Sequence, residues 1–245
     1  MSKKYKLVKE DSIEWMGRKL FRIQCVVAFG LIAAGELGGY IESEKNLSQV
    51  YGDAWVSGNA RVSGNARVSG DARVYGDARV YGNARVSGDA WVYGNAWVYG
   101  DAWVSGDARV SGNAWVYGDA WVSGDARVSG DARVSGDAWV SGDARVYGNA
   151  RVSGDARVYG NASITWTSNV GSGQGTLTVY HAKEGLLVTR GCFIGSDYEF
   201  LAAVAKTHGM DSQIGREYAL LIEFARLRLG KGGVRSEASE GEGRE

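Results

Sequence analysis

The chain has 245 residues and a mass of 26.2 kDa, with 37 glycines and no proline. Its apolar fraction of 44% is ordinary for a globular protein, so the glycines are placed rather than scattered. With 28 basic and 28 acidic residues the formal net charge is zero, which removes any global pull toward nucleic acid or an anionic membrane. Cys25 and Cys192 lie far apart and spell neither a disulfide framework nor a zinc site. The longest apolar run, residues 25–37, is interrupted by Gly30 and Gly35 and is too short to span a bilayer, and no cleavable leader opens the chain. These features predict a soluble, cytoplasmic protein.

Residues 1–49 read as an N-terminal cap. A β-hairpin is predicted from residues 13–15 and 19–24 around Met16-Gly17, followed by Gly35-Glu-Leu-Gly-Gly-Tyr-Ile-Glu-Ser as a first degenerate coil. From residue 50 to 163 the pattern Val-(Ser/Tyr)-Gly-(Asp/Asn)-Ala-(Arg/Trp) runs in 19 consecutive copies, starting at Val50 and ending with the copy that opens on Val158, whose last position is Ser163. Alternation sends Ala and Val to one face of a short strand and the Arg/Trp and Ser/Tyr positions to the other. Gly followed by Asp or Asn is turn chemistry, because glycine supplies unusual backbone angles and the short polar side chain bonds back to nearby peptides. Each hexad is therefore a short strand plus a corner. One Val and one Ala bury too little to stand alone, so the units must coil and stack.

These residues closely resemble the hexapeptide-repeat left-handed parallel β-helix, with Val at the aliphatic inward position and Ala at the small inward position two residues earlier. The resemblance implies three hexads per turn, a triangular prism and a left hand. The period itself gives no hand, and the usual rule for parallel crossovers favours a right-handed path, which is the alternative. With three hexads per coil, residues 18 apart stack in ladders about 4.8 Å from one another. One face then carries Arg85, Trp103, Trp121, Trp139 and Arg157. A second carries Trp97 and Trp115 beside Tyr99 and Tyr117, and the third mixes Trp55, Trp91 and arginines. One corner column, from Asp53 through Asp71 to Asp143, contains only aspartate. Columns of Asp–Arg ion pairs are the expected compensation, with bound calcium as the weaker alternative.

A solenoid exposes a raw core at each end, and residues 164–230 read as the closing cap. Strands are predicted at 164–167 and 176–180, with one further strand over 186–194. Ser196 then N-caps a helix with Glu199 completing a capping box, and that helix runs to about Thr207. A second helix over 214–229 places Tyr218, Leu221, Ile222, Ala225 and Leu229 on one face. Residues 231–245 are mainly Gly, Ser, Glu and Arg, offer no core and are predicted to be disordered. The fold class is thus mainly β, a left-handed parallel β-helix with an N-terminal β cap and a C-terminal cap of strands plus two helices.

The ends carry a narrower resemblance. Arg22-Ile-Gln, Gly38-Gly-Tyr-Ile-Glu-Ser, Val188-Thr-Arg-Gly-Cys-Phe-Ile-Gly and Thr207-His-Gly are similar to a family of hexapeptide-repeat proteins of phage and prophage genomes, often labelled transferases. That label comes from the repeat alone and proves no chemistry. Enzymes of the wider repeat superfamily use a histidine base beside a coenzyme A groove, or three histidines on a metal. This chain has two histidines, His181 and His208, both outside the repeat. His208 reads as a helix-end group and Cys192 as a packing residue, and no phosphate-cradling motif appears. No catalytic residue, cofactor or metal is expected.

The outward aromatic residues are the sharper signal. Seven of nine tryptophans fall at repeat positions that alternation turns outside, so core burial does not account for them. Stacking along the sheet is one explanation, and a binding surface of aromatic residues flanked by Arg is the other. The predicted binding residues are Trp97, Tyr99, Trp103, Trp115, Tyr117, Trp121, Trp139, Arg85 and Arg157. The function expected is a non-catalytic binding or scaffold protein forming a homo-oligomer, trimer or dimer, with a host protein or a nucleotide-like molecule as further partners. Two alternatives stand beside it, a counter-defence sponge for a nucleotide signal and an acyltransferase.

Overall fold

A computed structural model describes residues 3–50, 52–160 and 163–230. The tail predicted over 231–245 lies outside them. The hexads form a parallel β-solenoid of three sheets in which strands 18 residues apart are direct neighbours, as in Arg79, Trp97 and Trp115. Two of the sheets have six strands each. The third has nine, because Leu37–Ile41 and the hairpin Tyr5–Trp15 with Arg18–Cys25 extend it at the N-terminal end. Most repeat strands are only two residues long, such as Trp97–Val98. The hairpin is longer than the sequence pattern indicates, because its first strand begins at Tyr5 and carries a bulge between Val8 and Ser12.

The inward positions behave as alternation requires. The fully described repeats place Ala and Val in one continuous core, almost all without solvent exposure, such as Ala96 and Val98. Each buried valine is worth roughly 1.5–3 kcal/mol, multiplied along the whole prism. Backbone hydrogen bonds clip one coil to the next. Trp97 N–H donates to the Ala114 carbonyl (2.9 Å), Tyr99 to Val116 (3.0 Å) and Asp101 to Gly118 (2.9 Å). Glycine is required at the corner for two reasons. Gly100 sits at φ 72°, and a Cβ there would stand 3.0 Å from the backbone nitrogen of Gly118.

Both caps complete the ladders that the first and last coils leave open. At the N-terminal end Tyr40 N–H donates to the Ala60 carbonyl (2.9 Å), and the buried Asn46 amide donates to the Gly64 and Ala66 carbonyls (3.0 and 2.9 Å). At the other end Arg151 N–H finds the Thr178 hydroxyl (3.1 Å) and Ser153 N–H finds the Tyr180 hydroxyl (3.1 Å). In return, Thr189 donates to the Arg151 carbonyl (2.8 Å) and Tyr180 to that of Ser153 (3.0 Å). Side chains thus replace the missing coil.

The closing cap is a four-stranded antiparallel sheet, Ile164–Val170, Gly175–Ala182, Gly185–Arg190 and Phe193–Ser196, covered by α1 (Asp197–His208) and α2 (Gln213–Gly230). The single strand predicted over 186–194 is instead two, because Gly191 at φ 60° turns the chain between them. The capping box at Ser196 and Glu199 forms as predicted. The buried face of α2 consists of Tyr218, Ile222, Ala225 and Leu229, which pack on Leu177, Val179, Val188 and Phe200, while Leu221 sits at its margin. Among the described residues no helix is long and apolar enough to cross a membrane.

Thr178 is 1% exposed, so its replacement tests the capping account directly. Thr178→Val should lower the unfolding free energy in urea by about 1–3 kcal/mol, the cost of a buried unpaired amide, while Thr178→Ser should restore it. Equal stability of the Val and Ser variants would show that the cap does not act through this bond.

Candidate binding surface

The outward tryptophans are not a scatter of exposed rings. Trp103 and Trp121 stack with centroids 4.8 Å apart and planes 1° from parallel, and Trp139 continues the column at 4.8 Å with a tilt of 36°. Arg85 lies over the free face of Trp103 (5.8 Å) and Arg157 over that of Trp139 (5.4 Å). On the adjoining sheet Trp97 and Trp115 stack at 5.3 Å between Arg79 (4.6 Å) and Arg133 (4.9 Å). Trp91 on the third sheet stands between Arg73 and Arg109. Guanidinium groups therefore close each of these columns at both ends, and every ring keeps its edge, not its face, toward solvent.

A second contact fixes Trp91, Trp97, Trp103, Trp115 and Trp121. The residue 16 positions earlier is Ser87 for Trp103 and Ser105 for Trp121, and the indole N–H donates to that hydroxyl (3.1 and 3.3 Å). Where the same position holds tyrosine the contact becomes edge-to-face, as in Tyr75–Trp91, Tyr81–Trp97 and Tyr99–Trp115 at 6.0–6.2 Å. The tyrosines form their own column, Tyr81, Tyr99 and Tyr117, with spacings of 4.9 and 5.1 Å. Trp139 carries a buried indole N–H that has no partner among the described residues, consistent with its tilt.

Two expectations need correction. Arg73, Arg79, Arg85, Arg109, Arg133 and Arg157 lie over indole rings instead of forming the predicted columns of Asp–Arg ion pairs. The corner side chains bond along their own columns, with Asn65 donating to Asn83 (3.1 Å) and Asn83 to Asp101 (3.0 Å). Trp55 is not outward-facing in effect, because Tyr5 and Phe29 of the N-terminal cap cover it and leave it 3% exposed. Among the described residues no cluster of His, Cys, Asp and Glu is arranged to hold a metal ion.

The repeat matches the family model described as YdcK beta solenoid repeat at residues 48–64, 54–69, 60–76, 66–80, 78–94, 90–106, 108–124, 126–142 and 144–160. The chain is a β-solenoid repeat protein. No curated protein matches it. The matched segments lie in the solenoid and leave both caps outside, so they speak to the coil and not to a site.

The predicted site residues divide between two faces of this solenoid. Arg85, Trp103, Trp121, Trp139 and Arg157 make one unbroken column, whereas Trp97, Tyr99, Trp115 and Tyr117 make a broader double column on the neighbouring sheet. Arg79 and Arg133 belong to the second group by position, as the 18-residue spacing allows one to find. His181 lies against the Leu229 carbonyl (3.2 Å) at the end of α2. His208 ends α1 and Cys192 is exposed at a turn, and among the described residues no hydrogen bond joins either to another side chain.

Burial pushes the phenols of Tyr75, Tyr81 and Tyr99 above the ordinary tyrosine value of about 10. A folded-state value raised above the unfolded one means that this stability is intact below the unfolded value and is lost as pH rises through the folded one. Phenolate absorbance should therefore show a fraction of tyrosines titrating late, with thermal stability declining above about pH 10. Uniform titration of all phenols in the folded protein would contradict the buried columns.

Proposed function

We propose that the protein is a non-catalytic scaffold that binds a protein partner through the Trp103, Trp121 and Trp139 column, with a second copy of the same chain as the first such partner. The observation that carries this reading is the column itself, three indoles in register, half-buried, with edges in a row and an arginine at each end. Tryptophan and arginine dominate the energetics of protein interfaces, and a flat β face offers them without a loop to reorder on binding. The resemblance of both chain ends to phage and prophage repeat proteins supports placing this role inside a host cell.

Self-stacking explains part of the column, since each aromatic pair is worth on the order of 0.5–1.5 kcal/mol. Stacking uses the ring faces, and the half-buried edges that the register leaves in a row are the surface offered to the partner. Catalysis is not part of the proposal, because His181 is engaged with the end of α2 and His208 stands at a helix terminus.

The test replaces Trp103, Trp121 and Trp139 together by Ser, which removes the edges and spares the Ala and Val core. Light scattering should then report a smaller particle, and capture of partners from host lysate should fall, while the β signal in circular dichroism persists. Unchanged mass with unchanged capture leaves self-stacking as the whole explanation and ends the proposal.

A further inference from the structure

The proposal so far concerns one face of the prism, and a different arrangement stands where the neighbouring face meets the closing sheet. Among the described residues Arg190, at the end of Gly185–Arg190, is held by neutral groups alone. Its Nε donates to the Tyr218 hydroxyl (2.9 Å) and one terminal nitrogen to the Val170 carbonyl (2.8 Å). The glycine-rich loop is shaped around this pair. A Cβ on Gly171 would collide with the Tyr218 hydroxyl, and one on Gly175 would collide with the Arg190 guanidinium. Gln174 between them is held at φ 43°, in the left-handed region that few side chains adopt. The one carboxylate at this loop that the bonds reveal, Glu217, accepts from Gly171 N–H (3.1 Å).

Arg190 lines a cavity of about 270 Å³ together with Arg133, whose guanidinium also lies over Trp115 (4.9 Å), and its ladder neighbour Arg151, whose Nη1 donates to the Gly191 carbonyl (3.0 Å). Among the described residues none of the three arginines has a carboxylate within ion-pair distance. Asp131 on the cavity wall instead accepts from Asn113 (3.1 Å). Three like charges around one hollow raise each other's energy, and an anion entering it relieves all three. One carboxylate offers two oxygens, whereas a terminal phosphoryl group offers three, one for each planar guanidinium fork. Asn149, Gln174 and Thr176 on the same wall add neutral donors.

A second hollow of about 150 Å³ adjoins the first and shares Arg133, Arg151 and Gly191 with it. Its wall includes Tyr117, the last ring of the tyrosine column. Tyr99 covers one face of Tyr117, but 18 residues further on the ladder holds Ser135, a wall residue of the same hollow, in place of another ring. Among the described residues no aromatic ring or guanidinium covers that second face. It is the one feature that the bracketed tryptophan columns lack, an aromatic face open to a planar guest.

We infer that this junction binds a nucleotide-class ligand, its phosphoryl group among Arg133, Arg151 and Arg190 and its planar ring on Tyr117. The site lies apart from the Trp103 column, so each reading stands or falls without the other.

The test uses the full chain, with adenosine monophosphate and ribose phosphate as calorimetric probes. Both should bind saturably and more weakly as salt rises, and the nucleotide should bind more tightly. Tyr117→Ser should remove most of that difference while leaving ribose phosphate binding in place. Arg133→Gln with Arg151→Gln, both exposed side chains, should weaken both probes by about tenfold or more, as loss of charge-assisted hydrogen bonds requires. Arg190→Gln should do the same, and the exposed pair keeps the test valid if that variant fails to fold. Arg127→Gln, on a face without the cradle, should change nothing. Absence of saturable binding, an equal effect of Arg127→Gln, or a nucleotide preference that survives Tyr117→Ser would overturn the inference.

Discussion

Everything in this protein depends on the ladder that joins each residue to its counterpart 18 positions away. Hydrogen bonds such as Trp97 to Ala114 fix that spacing, and the corner glycines permit it because Gly100 and its equivalents approach the next coil too closely for a side chain. A stacked coil is satisfied only by another coil, which makes the two ends the vulnerable places. Asn46 answers the problem at one end with a buried amide, and Thr178, Thr189 and Tyr180 answer it at the other with hydroxyls. Hydroxyls suit the last coil because each can accept from an exposed amide or donate to an exposed carbonyl, as Tyr180 does for both groups of Ser153.

The same spacing turns a choice of side chain into a surface. An aromatic residue repeated at the interval must stack, because the ladder sets rings close to 4.8 Å apart and stacked rings require little more. Arginine at the ends of a run then finds a ring face beside it, which explains why it lies over tryptophan and not toward aspartate. Trp91 and the ring pairs Trp97–Trp115 and Trp103–Trp121, with Trp139 as the last ring of its run, follow one rule with different lengths. One tyrosine column ends at Tyr117, where serine follows, and among the described residues no ring or guanidinium covers its second face.

The coil was legible in the sequence because Val, Gly and Ala recur without exception, and a period that regular leaves few ways to bury both apolar positions. The ladders of Trp103, Trp121 and Trp139 followed by counting. What counting did not show was the role of the arginines, since a side chain with several torsions chooses between an ion pair and a ring by local distance, which alternation does not encode. Nor did it show the cradle of Arg190. Gly171 and Gly175 fall between the strands predicted at 164–167 and 176–180, and only their contacts with Tyr218 and Arg190 reveal them as space made for two side chains. Trp55 was misplaced for a related reason, because the strand pattern assigns it outward and the cap that covers it comes from residues far earlier in the chain.

The most direct test of the ladder compares two deletions that differ by one residue. Removing residues 92–109 takes out one coil and returns Val110 to the place of Val92, so every later residue keeps its face and both caps keep their partners. Removing residues 92–108 puts Arg109 at that inward place and inverts the alternation beyond it. The account predicts that the first variant unfolds cooperatively near the temperature of the parent and that the second fails to fold. Failure of the first variant, or the same melting behaviour in both, would contradict a structure built on the 18-residue register.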